Sequence, residues 1–217
     1  MIEAVIFDCD GVLVDSEPLA WEAWRRVLGT YEVEVTEHDM QRLTGRSQSD
    51  VYEAFAARGN LPPQLQLDEQ VSSVLFELFD RGLRIFPDVP GTLEALAESG
   101  VRLAVASSSP RGRLDRTLTL VELTTWFETS VAGNEVDGAK PQPDLFLEAA
   151  KRLGVNPGVC VAIEDTPAGV ESARSAGMCA IGVLRGHYTR SELAATHVVE
   201  SLDARSILDI CESKAAV

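Results

Sequence analysis

The chain predicts an α/β fold, a doubly wound parallel sheet with an inserted block of α-helices, and three observations carry that expectation. Its first apolar run, Ala4-Val5-Ile6-Phe7, is short, β-prone and ends in Asp8-Cys9-Asp10-Gly11, as a buried strand entering a turn does. Residues 17–82 then keep helical spacing with no alternating strand. After Pro87-Asp88-Val89-Pro90-Gly91, short apolar runs alternate with helical segments, the rhythm of βαβ units.

Each element has its own signals. In residues 19–28, Trp21, Trp24, Val27 and Leu28 recur at helical spacing and the segment closes at Gly29. Thr36 opens a short helix to Leu43, Ser47 opens another to Ala57, and Asp68 opens a third with Val71, Val74, Leu75, Leu78 and Phe79 on one stripe. These Trp and Phe residues read as the core of a small bundle rather than as a cofactor platform. Beyond it, 92–99 reads as a helix ending at Gly100, 101–106 as a strand, 111–120 as a helix and 129–132 as a short strand. A helix over 144–153 stops at Gly154, a strand follows over 159–163, a helix over 166–176 stops at Gly177, and a strand covers 179–183. The first strand belongs to the later sheet. Residues 1–16 and 83–217 are therefore expected to form a Rossmann-like core domain, and residues 17–82 an inserted α-helical domain.

With 217 residues, 45% of them hydrophobic, the chain can bury a substantial core and is not disordered. A formal charge of -15 argues against nucleic acid and anionic membranes as partners. An anionic ligand would have to find positive potential locally, from a cation, a few Lys or Arg, or helix N-termini. Cys9, Cys160, Cys179 and Cys211 show no metal-binding spacing, and the three beside apolar strand-like runs read as reduced, buried thiols of a cytoplasmic protein. No apolar run approaches membrane-spanning length, and a monomer is expected.

Side chains at i and i+2 of an extended segment project to one side, so Asp8 and Asp10 are expected to point together. Like charges that close need a cation, a hydrogen bond or a proton between them. A hard divalent ion is the simplest remedy, and Mg²⁺ suits one or two carboxylates with waters and a substrate phosphate. The competing reading is a surface turn with one carboxylate as a cap. Other strand ends tip the balance. The strand over 101–106 runs into Ser107-Ser108-Ser109, hydroxyls and amides suited to a phosphoryl oxygen. Ser109 reads as an N-cap ahead of Pro110, whereas Ser107 is too early to cap. Glu164 and Asp165 follow another strand and cannot both cap the helix opened by Thr166-Pro167, so metal ligation is the better reading. Between them, Gly138-Ala139-Lys140-Pro141-Gln142-Pro143-Asp144 holds one Lys in a constrained loop, where an ammonium could meet a phosphoryl group.

Taken together, D-x-D-G-V-L-V-D-S-E, the strand ending at Ser107, G-x-K-P-x-P-D and E-D-T-P resemble the haloacid dehalogenase superfamily. They are most similar to its branch with a helical cap after the first strand, that of β-phosphoglucomutases and small sugar-phosphate phosphatases. The resemblance implies Asp8 as nucleophile and Asp10 as acid and base, with the Asp10 backbone carbonyl also touching the metal. It implies that Ser107 and Lys140 hold the phosphoryl group, that Ser108 lies along the substrate, and that Asp165 and Glu164 join Asp8 at Mg²⁺. The dehalogenases lack the second carboxylate, so Asp10 favours phosphate over halide. A cap loop similar to Thr44-Gly45-Arg46 chooses substrates in the family, and Gly45 and Arg46 are the candidate contacts here. The mutases carry a histidine where this chain has Ala20, which favours hydrolysis. The expected function is thus a Mg²⁺-dependent phosphatase of a small sugar or polyol phosphate acting through an aspartyl-phosphate. A mutase-like phosphotransferase and a catalytically idle interaction protein are the alternatives.

Overall fold

A computed structural model describes residues 1–44 and 48–212. The chain divides into two compact units, one of Met1–Asp15 with Ile85–Val217 and one of Ser16–Arg84.

The first unit is built on a six-stranded parallel sheet of β1 (Ala4–Phe7), β2 (Arg102–Ala106), β3 (Thr129–Val131), β4 (Cys160–Glu164), β5 (Cys179–Val183) and β6 (His197–Val199). The order is β3-β2-β1-β4-β5-β6, so the winding reverses beside β1. That is where open α/β sheets hold ligands, at the carboxyl ends of the strands. All four residues of β1 are buried, as expected of a central strand covered on both faces. Register matters most at its end. Phe7 pairs with Val105 of β2 and with Ile163 of β4, which brings Asp8 level with Ala106 and Glu164.

Helices α5 (Val89–Glu98), α6 (Arg111–Leu120), α7 (Asp144–Leu153), α8 (Pro167–Ser175), α9 (Arg190–Leu193) and α10 (Ala204–Glu212) complete this unit. Thr166 caps α8 by accepting the Gly169 N–H, with Pro167 opening the helix. Leu145, Phe146, Ala149 and Ala150 of α7 pack with Ile6, Ala104 and Ala162 of the sheet. The carbonyl of Ser130, on edge strand β3, accepts from Arg111 Nη2 and Arg152 Nη1, each at 2.8 Å. Two guanidinium groups thereby occupy an edge that could otherwise recruit another strand. Beside the sheet, Arg185 grips Asp88 through two hydrogen bonds of 2.9 and 3.0 Å and donates to the Val12 carbonyl at 3.0 Å.

The second unit contains α1 (Glu17–Gly29), α2 (Glu37–Leu43), α3 (Gln48–Ala56) and α4 (Gln64–Gly82). Trp21, Trp24, Phe55, Leu67, Val71, Leu75 and Phe79 are buried together, and the Trp24 and Phe55 rings stack at 6.5 Å. Thr36 opens α2 with a reciprocal capping box to Asp39. Asp39 also accepts two hydrogen bonds from Arg58, and the Arg58 side chain, with Thr36, holds the Asp39 carboxyl well below its usual range despite burial.

Three expectations need correction. Helix α4 begins at Gln64 behind Pro63 rather than at Asp68, and α5 begins at Val89 rather than Thr92, because a proline supplies each start without a side-chain cap. The expectation of reduced thiols holds for Cys9 and Cys160, which are free. It fails at Cys179, which is disulfide-bonded. No helix among the described residues is long and apolar enough to cross a membrane.

Candidate active site

Lys140 Nζ joins three neighbouring strand ends. It donates to Asp8 Oδ1 at 2.5 Å, just past β1, and to the Ala106 carbonyl at 3.1 Å, at the end of β2. It lies 2.6 Å from Glu164 Oε1, at the end of β4. The ammonium thus hydrogen-bonds two acceptors, Asp8 and the Ala106 carbonyl, and is ion-paired with Glu164 beside them. The loop carrying Lys140 is fixed from both sides. Asp144 accepts the Gly138 N–H at 3.1 Å, and Ser172 of α8 donates to the Gln142 carbonyl at 2.6 Å. Gly138 leaves the space that the Asp144 carboxylate occupies, since an added Cβ would lie 2.6 Å from Asp144 Oδ2.

Asp8, Glu164 and Asp165 form a buried cluster whose ligand oxygens lie within 4.8 Å of one another. Burial pushes the Asp8 carboxyl up from 3.8 to about 7; Lys140 pulls it down and Glu164 pushes it further up. Burial lowers the proton affinity of Lys140, but the two carboxylates beside it more than offset that and hold the ammonium above its ordinary range. Asp8 and Glu164 share the Lys140 ammonium, and Asp165 lies beside them. All the clustered donors are hard oxygens, with no His or Cys among them. That donor set fits Mg²⁺.

Two glycines make room for the carboxylates. Gly11 sits at φ +80, and a Cβ there would lie 2.1 Å from Asp165 Oδ2. On α8, a Cβ at Gly169 would lie 1.8 Å from the Glu164 carboxyl carbon. Glu164 is also heavily used within the protein, its Oε2 accepting from the Asp165 and Thr166 N–H groups and from the Thr166 hydroxyl. It therefore orients Lys140 and the turn that aims Asp165. Gly11→Ala is expected to displace Asp165 and to cost about 1–2 kcal/mol for the left-handed backbone alone. Urea denaturation checks this; an unchanged stability would contradict it.

Asp10 is held separately. Its Oδ2 accepts from Ser109 Oγ at 2.8 Å and its Oδ1 from Arg113 Nη2 at 3.0 Å. The expectation that Ser109 caps α6 fails, because Pro110 occupies that position and no side chain caps the helix. Its hydroxyl goes to Asp10 instead, while Ser107 Oγ accepts the Ser109 N–H at 3.1 Å. Ser107 is buried beside these groups and Ser108 is exposed. The candidate contacts Gly45 and Arg46 lie outside the described residues. Sequence reasoning missed Arg113 altogether; its only signal was a position four residues after Ser109, on the same helical face.

A sheet wound in this order, with carboxylates and one buried lysine at its central strand ends, defines a hydrolase site of a particular family. A sequence model of the haloacid dehalogenase-like hydrolases matches residues 5–183, and the chain belongs to that family. Among its relatives, a phosphorylated carbohydrates phosphatase of Thermotoga maritima is 36% identical over 182 residues, 82% of either chain. Hexitol phosphatase B of Escherichia coli K12 is 31% identical over 185 residues, 84% of this chain and 83% of the relative. A solved structure of a putative β-phosphoglucomutase from Thermotoga maritima superposes with a TM-score of 0.76 at 31% identity, covering 100% of both chains.

Proposed function

We propose that this phosphoric monoester hydrolase acts on a small phosphorylated carbohydrate or polyol, with Mg²⁺ as cofactor and an aspartyl-phosphate on Asp8 as intermediate. The observation that carries the reading is the meeting of Asp8, Lys140, Glu164 and Asp165 at adjacent strand ends, with Asp10 two residues on and separately held. The names of the relatives, phosphatases of carbohydrate and hexitol phosphates, support the substrate class.

Asp8 attacks phosphorus, and the bond from phosphorus to the leaving oxygen breaks. Asp10 gives that oxygen a proton, so the alcohol departs neutral. Asp10, now a carboxylate, takes a proton from water as the water attacks phosphorus and the bond to Asp8 breaks. Lys140 neutralises Asp8 before attack and meets the charge of the transferring group, with Ser107 alongside. Asp8 and Asp165, with the Asp10 carbonyl, would hold Mg²⁺; Glu164 completes the set or supports it through Lys140. The ion, when bound, supplies charge stabilisation to the phosphoryl oxygens. Residues 17–82 would act as the cap, and Ser108, Gly45 and Arg46 would contact the rest of the substrate.

A panel of sugar, polyol and nucleotide phosphates, assayed for released phosphate with Mg²⁺ and with EDTA, tests the reading. Metal-dependent release, greatest with hexose or hexitol phosphates, is expected. Release unaffected by EDTA, or confined to nucleotides, would contradict it. A β-phosphoglucomutase from Bacillus subtilis is also related, at 29% identity. Isomer interconversion from a hexose 1-phosphate plus its bisphosphate would favour that second activity.

A further inference from the structure

The carboxylate of Asp10 is bracketed by two donors that reach it from the start of α6. Ser109 and Arg113 are four residues apart, and each takes one carboxylate oxygen. The bracket is itself well anchored. The Ser109 N–H is fixed on Ser107 Oγ at 3.1 Å, and the Ser109 carbonyl accepts from the Gly133 N–H at 2.9 Å. Arg111, on the same turn of α6, pairs with Glu135 and donates to the Ser130 hydroxyl and carbonyl. Leu114, Thr117 and Leu118 of the same helix are buried. The Arg113 side chain is 18% exposed, so its guanidinium sits in the wall of the site rather than in bulk water.

We propose that Arg113 and Ser109 are positioning residues for Asp10, fixing the direction in which its carboxyl group faces the leaving oxygen and the attacking water. This rests on Asp10 being the acid and base. The two donors do different work. A serine hydroxyl donates to a carboxylate or accepts from a carboxylic acid, so it can hold Asp10 on both sides of the proton transfer. A guanidinium only donates, so Arg113 fixes which oxygen remains an acceptor. The proton that Asp10 delivers to the leaving alcohol then comes from the oxygen facing Ser109. The same oxygen recovers a proton from water in the second step.

The test uses the full chain with Mg²⁺ and two substrates, a hexitol phosphate and p-nitrophenyl phosphate. The second has a leaving group that departs without a proton, and kcat/KM reports only the steps up to that departure. Arg113→Ala should lower kcat/KM for the hexitol phosphate by about 10- to 100-fold, and for p-nitrophenyl phosphate by no more than about threefold. Arg113→Lys should recover part of the loss. In an Asp10→Asn background, Arg113→Ala should cost nothing further, because its effect passes through Asp10. Equal losses on both substrates, or losses that add in the double variant, would overturn the proposal. Melting temperatures of each variant show whether it is folded, and Arg113→Lys carries the test if the alanine variant is not. If wild type releases no phosphate, or if Asp10→Asn keeps the full rate on the hexitol phosphate, the acid–base reading itself falls and this inference falls with it.

Discussion

Asp8→Asn is expected to lower turnover of any phosphate ester by on the order of 10⁴-fold or more, because the proposed mechanism makes Asp8 the group that accepts phosphorus. Steady-state assays with saturating Mg²⁺ measure this directly. The same change should alter stability in a way that depends on pH. In the metal-free protein the Asp8 carboxyl is raised from 3.8 to about 7, so the folded state keeps its proton longer than the unfolded chain does. Its contribution is therefore full below about pH 4 and is lost as pH rises toward 7. The carboxamide that replaces it in the variant does not titrate. Measured in EDTA by urea denaturation, wild type should lose stability relative to Asp8→Asn across that window, by on the order of 3 kcal/mol. Mg²⁺ should flatten the wild-type slope, since the ion binds the folded, ionised site. An identical pH dependence in the two proteins would contradict the assignment of the buried charge.

Lys140→Met is the second large effect. The substitution keeps most of the side-chain volume and removes the ammonium that bonds Asp8, Glu164 and the Ala106 carbonyl. Breaking a buried ion pair from one side costs about 3–5 kcal/mol, and losing one oriented electrostatic group typically costs about 10²–10³ in kcat. Both losses are expected together, the first in denaturation and the second in phosphate release. Lys140→Arg should not restore activity, because a planar fork cannot meet three acceptors arranged around one nitrogen. A fully active Lys140→Met enzyme would show that the ammonium serves the fold alone.

Much of this architecture was legible in the chain. Central parallel strands are buried on both faces, so β1, β2, β4 and β5 appear as short apolar runs, and the polar residue that ends each run is the one that reaches the ligand side of the sheet. Asp8, Ser107, Glu164 and Asp165 could be read in that way, and Lys140 from the constrained loop that carries it. What the sequence hid is of two kinds. Three-residue β6, at the sheet edge and only partly buried, is too short to show a period, and amphipathic α10 after it was not read. The bracket on Asp10 was hidden because its meaning lies in a contact spanning 99 positions, from Ser109 to Asp10. Locally, Ser109-Pro110 has every mark of a helix cap. The hydroxyl was available for either partner, and only the folded sheet, by bringing the end of β2 beside β1, decided between them.

Trapping of the phosphoenzyme probes the chemistry most directly. Asp10→Asn, mixed with Mg²⁺ and p-nitrophenyl phosphate, whose leaving group departs without a proton, and quenched in acid, should carry covalent phosphate, and peptide mass spectrometry should map it to Asp8. Release of phosphate by the wild type, with no label ever found on Asp8 or with the label on another residue, would contradict the account.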